Sequence, residues 1–184
     1  MRGVAVAAIV AISAALGACT DSPKTPALPD GAAPYVAALS KRLEGREHPP
    51  ILTPEQEHCV ASAVVAGIGL DALRAAQITP ETISETPLPK LPASVTTPSN
   101  ATEIANGIVD CGVGGKFAGL FASRELAGKP DSNTIQKIID CIGTEVEASQ
   151  ARTIIATYFF NVHATGDNAE MTRAMVEDCG FETR

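Results

Sequence analysis

Ile135-Gln136-Lys137-Ile138-Ile139-Asp140-Cys141-Ile142-Gly143-Thr144-Glu145-Val146 places apolar residues at positions 135, 138, 139, 142 and 146. These spacings of three and four put the isoleucines and the valine on one face of a helix, with Gln136, Lys137, Asp140 and Glu145 on the other. The same period recurs along the chain. Val60, Val64 and Ile68 form a stripe that continues through Leu70 and Leu73. Ile104, Ile108 and Cys111 form another, and Phe117, Leu120 and Phe121 a short third. Ile154, Ile155, Tyr158, Phe159 and Val162 follow, then Met171, Met175, Val176 and Cys179. Val36, Leu39 and Leu43 mark a shorter leading helix. Alternation of period two is almost absent. The pattern predicts an all-α domain of about six to seven short helices, each with one buried face.

Punctuation supports these boundaries. Thr53-Pro54-Glu55-Gln56 supplies an N-cap, a first-turn proline and a Gln able to close a capping box. Asn100 with Glu103 and Asp167 with Glu170 are read the same way. Gly112, Gly128 and Gly180 follow periodic runs as helix stops. Thr79 to Pro98 contains five prolines and no clean period, so a long loop is expected over 79–98.

The N-terminus has a different character. Met1-Arg2 precede an unbroken small and apolar run, Val4 to Leu16, interrupted only by Ser13. That length suits a signal-peptide core and is short for a bilayer span. The run closes on Leu16-Gly17-Ala18-Cys19, which resembles the lipobox of bacterial lipoprotein precursors at every position. The resemblance implies cleavage after residue 18 and lipidation of Cys19 by acyl chains such as palmitate. It further implies an extracytoplasmic protein anchored to the cell membrane. Several chains on one residue anchor stably where one binds only marginally. Residues 19–34, with four prolines after Cys19, are expected to form a tether. Residues 35–184 then make one domain of roughly 150 residues, long enough to bury a core. No other apolar run approaches a transmembrane length. The alanine-rich, lysine-poor composition also resembles envelope lipoproteins of high-GC actinobacteria in style.

Assigning Cys19 to lipid leaves Cys59, Cys111, Cys141 and Cys179, an even number in an oxidising compartment. The chain repeats around them. Cys59 to Arg74 aligns with Cys141 to Ala156 without a gap, superposing Val60 on Ile142, Ala61 on Gly143, Val64 on Val146 and Leu73 on Ile155. Asp110-Cys111-Gly112 matches Asp178-Cys179-Gly180. Two similar halves, 53–128 and 131–184, are expected. Each has a Cys-bearing helix, a second helix, an excursion, and a helix ending in Asp-Cys-Gly. The repeat favours disulfides Cys59–Cys111 and Cys141–Cys179; it also permits Cys59–Cys141 with Cys111–Cys179.

Charge excludes some functions. Asp plus Glu total 21 against 14 Lys plus Arg, a net charge of −7 with no basic run, which argues against nucleic acid as a partner. His48, Glu55 and His58 lack the spacing of a metal motif, and His163 suits a helix end. Gly112-Val113-Gly114-Gly115-Lys116 departs from a phosphate loop, with Asp110 where the first glycine belongs and Phe117 where Ser or Thr belongs. Asp110, Asp140 and Asp178 each precede a cysteine and fit solvent-facing positions better than a paired acid and base. No cofactor or metal is expected, and no catalytic spacing marks an enzyme. The leading expectation is a lipid-anchored binding or interaction module of the envelope, taking an unknown envelope protein or an apolar ligand. One alternative is a carrier of an apolar ligand, with Ala61, Ala63, Ala66, Gly67 and Gly69 leaving a gap between helices and the 79–98 segment as its lid. The other is an envelope hydrolase whose site assembles from distant residues.

Overall fold

The computed structural model describes residues 24–44, 51–161 and 166–184, so the Cys19 lipobox, His48, Val162 and His163 lie outside the described residues. The fold is all-α. Nine helices follow in order among the described residues: α1 (Ala33–Glu44), α2 (Pro54–Ile68), α3 (Leu70–Ala75), α4 (Pro80–Glu85), α5 (Pro98–Asp110), α6 (Gly114–Ala122), α7 (Ser132–Glu145), α8 (Ala148–Tyr158) and α9 (Asp167–Asp178). Two 3-10 turns, Leu88–Lys90 and Ser123–Glu125, complete the set.

The count exceeds the expected six to seven because Gly69 breaks the 60–73 stripe into α2 and α3, and because the 79–98 segment is not a structureless loop. Thr79 caps α4 as Thr53 caps α2: its hydroxyl accepts from the Thr82 amide at 3.2 Å, and Pro80 takes the first helical position. Ile83, Leu91 and Val95 from this segment are all buried, and α4 packs on α1. The same Thr-Pro device starts α5, where Thr97, not Asn100, is the N-cap and accepts from the Asn100 amide at 3.1 Å. At α9 the cap is Gly166, and Asp167 is already the first helical residue. At α2 the capping box forms as expected, with Thr53 and Gln56 exchanging bonds of 3.3 and 3.1 Å. Part of the segment 19–34 expected as a tether falls among the described residues and packs on the body. The Lys24 amide donates to the Asp110 carbonyl at 3.2 Å, Leu28 packs on the core and Ala32 is buried, so residues 24–32 lie against the body.

Helix α2 is the centre of the core. Seven consecutive residues, Cys59 to Val65, are buried, so it is enclosed and not the one-faced helix its stripe suggests. Small side chains make that enclosure possible. A Cβ at Gly107 of α5 would meet the Ala63 Cβ at 2.6 Å, and one at Gly67 would meet the Ile104 backbone N at 2.8 Å. Ala63 and Gly67 therefore close α2 onto α5 and leave no gap there, while Ala66 is exposed and Gly69 links α2 to α3 with φ +85°. α1 covers another side of α2, α8 packs on α5, and α6 packs on α7 and α8.

The disulfides are Cys59–Cys111, with Cα atoms 5.8 Å apart, and Cys141–Cys179, at 6.1 Å. Each joins a Cys-bearing helix to the C-cap of the helix that ends in Asp-Cys, where the following Gly112 and Gly180 turn the chain at φ +73° and +82°. The two halves thus share element order and staple position. Their packing differs: Cys59 and Cys111 are buried, whereas Cys141 and Cys179 are only half-buried. The halves are not separate lobes, because α5 and α6 of the first pack directly on α7 and α8 of the second.

Candidate functional site: an apolar groove with two arginines

Three helices supply the walls of a groove of about 410 Å³. On α1, Leu39, Arg42 and Leu43 fall at i, i+3 and i+4 and face inward together; on α6, Phe117, Leu120 and Phe121 do the same. Val60, Ala61 and Val64 line it from α2, on a different face from the Ala63–Gly67 stripe that meets α5. Pro87, Leu88 and Pro89 of the 79–98 segment form a further wall, and Phe159 closes the end beyond α8. Four of the five phenylalanines form an edge-to-face chain here. Centroids are 6.0 Å apart for Phe117–Phe121, 6.2 Å for Phe121–Phe159 and 5.1 Å for Phe159–Phe160.

Only two lining groups carry charge, and both are guanidiniums. Arg42 donates to the carbonyls of Ile83, at 2.9 Å, and Thr86, which tie the end of α4 to α1. Arg124 follows the stripe of α6 by one turn. Its Nη1 donates to the Tyr158 carbonyl at 2.9 Å, which also accepts from the Asn161 amide at 3.3 Å, and to the Asn161 carbonyl at 2.8 Å, so it holds the turn that follows α8. Its Cζ stands 4.6 Å from the Phe121 ring centroid. Burial pulls the guanidinium below its ordinary pKa, with the nearby Tyr158 opposing; an arginine starts so high that it stays charged.

Next to Arg124 the chain turns a carboxylate the other way. Glu125 is buried, and Tyr158 Oη donates to its Oε1 at 3.0 Å. Arg173 Nε lies 3.4 Å from Oε2, and the Arg184 amide donates to the Glu125 carbonyl at 3.1 Å. This cluster ties α8, α9 and the C-terminal residues to the 3-10 turn. Burial, and then the bond to Glu125, push the Tyr158 hydroxyl up to about 12, from an ordinary 10.0. The folded state favours the protonated phenol, so its contribution is complete below pH 10 and is lost as pH rises through about 12. Alkaline titration followed by phenolate absorbance is expected to show one late step near pH 12 that Tyr158→Phe abolishes. A late step that survives the substitution would assign the effect elsewhere.

The residues singled out from sequence do not converge. Glu55 and His58 are exposed on α2. Among the described residues no group of three or more His, Cys, Asp or Glu is placed to hold a metal. Lys116 donates to the Ile51 carbonyl and reaches Gln56 Oε1 at 3.4 Å, so it braces the start of α2. Asp110, Asp140 and Asp178 are exposed; Asp110 lies 3.8 Å from Arg152, and Asp140 accepts from Gln136 at 2.8 Å. No family model matches the chain, and no match emerges among curated proteins or solved structures. The groove residues that sequence reading missed did leave a trace: Arg42 and Arg124 both sit on otherwise apolar stripes, at Leu39-x-x-Arg42-Leu43 and Phe117-x-x-x-Phe121-x-x-Arg124.

Proposed function

We propose that the protein is a lipid-anchored binding module on the extracytoplasmic face of the cell membrane that holds an apolar ligand in the α1–α2–α6 groove. The observation that carries this reading is the groove itself. Its volume of about 410 Å³ is in the range of small-molecule sites, and its lining is aliphatic and aromatic with few polar groups. The anchor reading adds geometry. Lys24, whose amide is bound to the body, is five residue steps beyond Cys19, so the tether reaches at most about 17 Å. A body held that near the bilayer is well placed to exchange lipid-like molecules with it. Among the described residues no helix is long and apolar enough to cross a membrane.

The test uses the full chain carrying Cys19→Ala, so that no acyl anchor competes for the groove. A polarity-sensitive fluorescent fatty-acid probe is expected to bind and brighten. Leu120→Trp adds bulk at a half-buried position of the α6 wall and is expected to weaken the probe at least about ten-fold, roughly 1.4 kcal/mol. Its melting temperature should stay close to that of the parent chain, because Leu120 is only half-buried and the larger ring can extend into the groove. Unchanged probe affinity in Leu120→Trp, or no binding by the parent chain, would remove the groove as the site.

A further inference from the structure

Resting on the groove reading above, we propose that the occupant is a single-chain amphiphile with a carboxylate head, and that Arg124 pairs with that head. Charge complementarity carries the argument. The chain as a whole is acidic, yet the lining of this groove contains two guanidiniums and no carboxylate. Among the described residues Arg124 makes no ion pair.

The donor arrangement on Arg124 is specific. A guanidinium has five N–H donors in a planar fork. The two carbonyl bonds to Tyr158 and Asn161 both come from Nη1. They fix the plane of the group, and the Nε–Nη2 edge has no protein acceptor among the described residues. That edge presents two parallel N–H groups, the geometry that accepts both oxygens of a carboxylate. The Phe121 ring beneath the guanidinium shields it from water on one face, so a pair formed there is weakened less by solvent and salt than a surface pair. The acyl chain then lies against Phe117, Phe121 and Phe159, whose edge-to-face contacts make a continuous apolar floor. A volume near the low end of ligand sites suits one alkyl chain. A polar ligand such as a sugar or nucleotide finds no further side-chain donors or acceptors in the lining.

Competition against the fluorescent probe on the Cys19→Ala chain tests the head and the tail separately, using hexadecanoate, hexadecan-1-ol and hexadecyltrimethylammonium. Hexadecanoate is expected to displace the probe at least about ten times more tightly than either of the others at pH 7, a margin within reach of a desolvated charge pair. The preference should vanish near pH 4, where the carboxylic acid becomes protonated. Arg124→Gln should bring hexadecanoate down to the affinity of the alcohol in the same variant, and Arg124→Lys should restore part of the preference. Equal affinity for acid and alcohol in the parent chain, or a preference that survives Arg124→Gln, overturns the proposal and leaves the apolar groove standing. Failure of all three amphiphiles and of the probe overturns the groove reading itself. If Arg124→Gln does not fold, the comparison of acid with alcohol across pH in the parent chain decides.

Discussion

Replacing Cys59 and Cys111 together by alanine is expected to lower the unfolding free energy by about 4–5 kcal/mol. The staple closes a loop of 52 residues, for which denatured-chain entropy alone gives roughly 4 kcal/mol. The remainder comes from two sulfur atoms removed from fully buried sites, where no solvent refills the space. Whole-domain stabilities are about 5–15 kcal/mol, so the doubly substituted chain is left close to its unfolding threshold. The position of the bond adds to the effect. It ties the centre of α2 to the C-cap of α5, and α2 is the helix around which α1 and α5 pack. The second bond closes 38 residues and has nearly the same chain-entropy value. Its effect on global unfolding should be smaller, about 2–3 kcal/mol, because α9 sits at the periphery and opens locally before the rest. Urea titrations of the two double variants measure both. Alkylation under native conditions with a mild reductant gives an independent check: Cys141 and Cys179, being half-buried, should be labelled before Cys59 and Cys111. A larger loss from the second pair, or earlier labelling of the first, would contradict this ordering.

Periodicity and cysteine arithmetic made much of this legible in the sequence, and the groove stayed hidden for a definite reason. The stripe 135–146 became α7 because its polar face had no competing use, and α7 buries Ile138, Ile139 and Ile142 as the spacing requires. The repeat placed the two matching helix ends because an Asp-Cys-Gly terminus specifies a local event, a helix C-cap followed by a left-handed glycine, while it left the choice between two disulfide pairings to the packing. It said little about packing, since burial depends on what lies across from each helix. Cys59 to Val65 is enclosed and its counterpart Cys141 to Glu147 is half open. The 79–98 segment was obscured by its prolines. Thr79-Pro80 repeats the Thr53-Pro54 start signal, but a six-residue helix is too short to show a period. Arg42 and Arg124 are inconspicuous in the sequence because a charged residue on an apolar stripe reads as a solvent boundary. Only the tertiary arrangement reveals that both line one cavity, with carbonyls of distant segments holding them. The buried Glu125 was hidden similarly: its partners Tyr158 and Arg173 are 33 and 48 residues away, beyond the reach of any local spacing.

Gly119→Ala is expected to cost about 1–3 kcal/mol although it replaces glycine by a better helix former. The reason is what the new methyl group would meet. A Cβ at Gly119 falls 2.6 Å from the Ile139 Cα and 3.2 Å from the Ile138 carbonyl oxygen, and both are backbone atoms of α7. No rotamer change relieves such a contact, so α6 and α7 must move apart. Gly115, one turn earlier, has the same constraint, with its Cβ 2.5 Å from the Gly143 carbonyl oxygen. The reciprocal position supplies the control. A Cβ at Gly143 would find its nearest neighbour at 3.6 Å, an ordinary contact. Gly143→Ala should therefore be neutral or gain up to about 1 kcal/mol from helix propensity. Thermal melts of the three single variants test the asymmetry, and a Gly143→Ala loss as large as that of Gly119→Ala would refute it. The consequence reaches the groove, because α6 carries Phe117 and Phe121 on the face opposite this contact line. Displacing α6 shifts the aromatic floor and the Arg124 turn that follows it. Gly119→Ala should then weaken the fatty-acid probe as well as the fold, whereas Gly143→Ala should leave probe affinity unchanged. If Gly119→Ala lowers stability but leaves the probe affinity intact, the groove is mechanically independent of the α6–α7 seam.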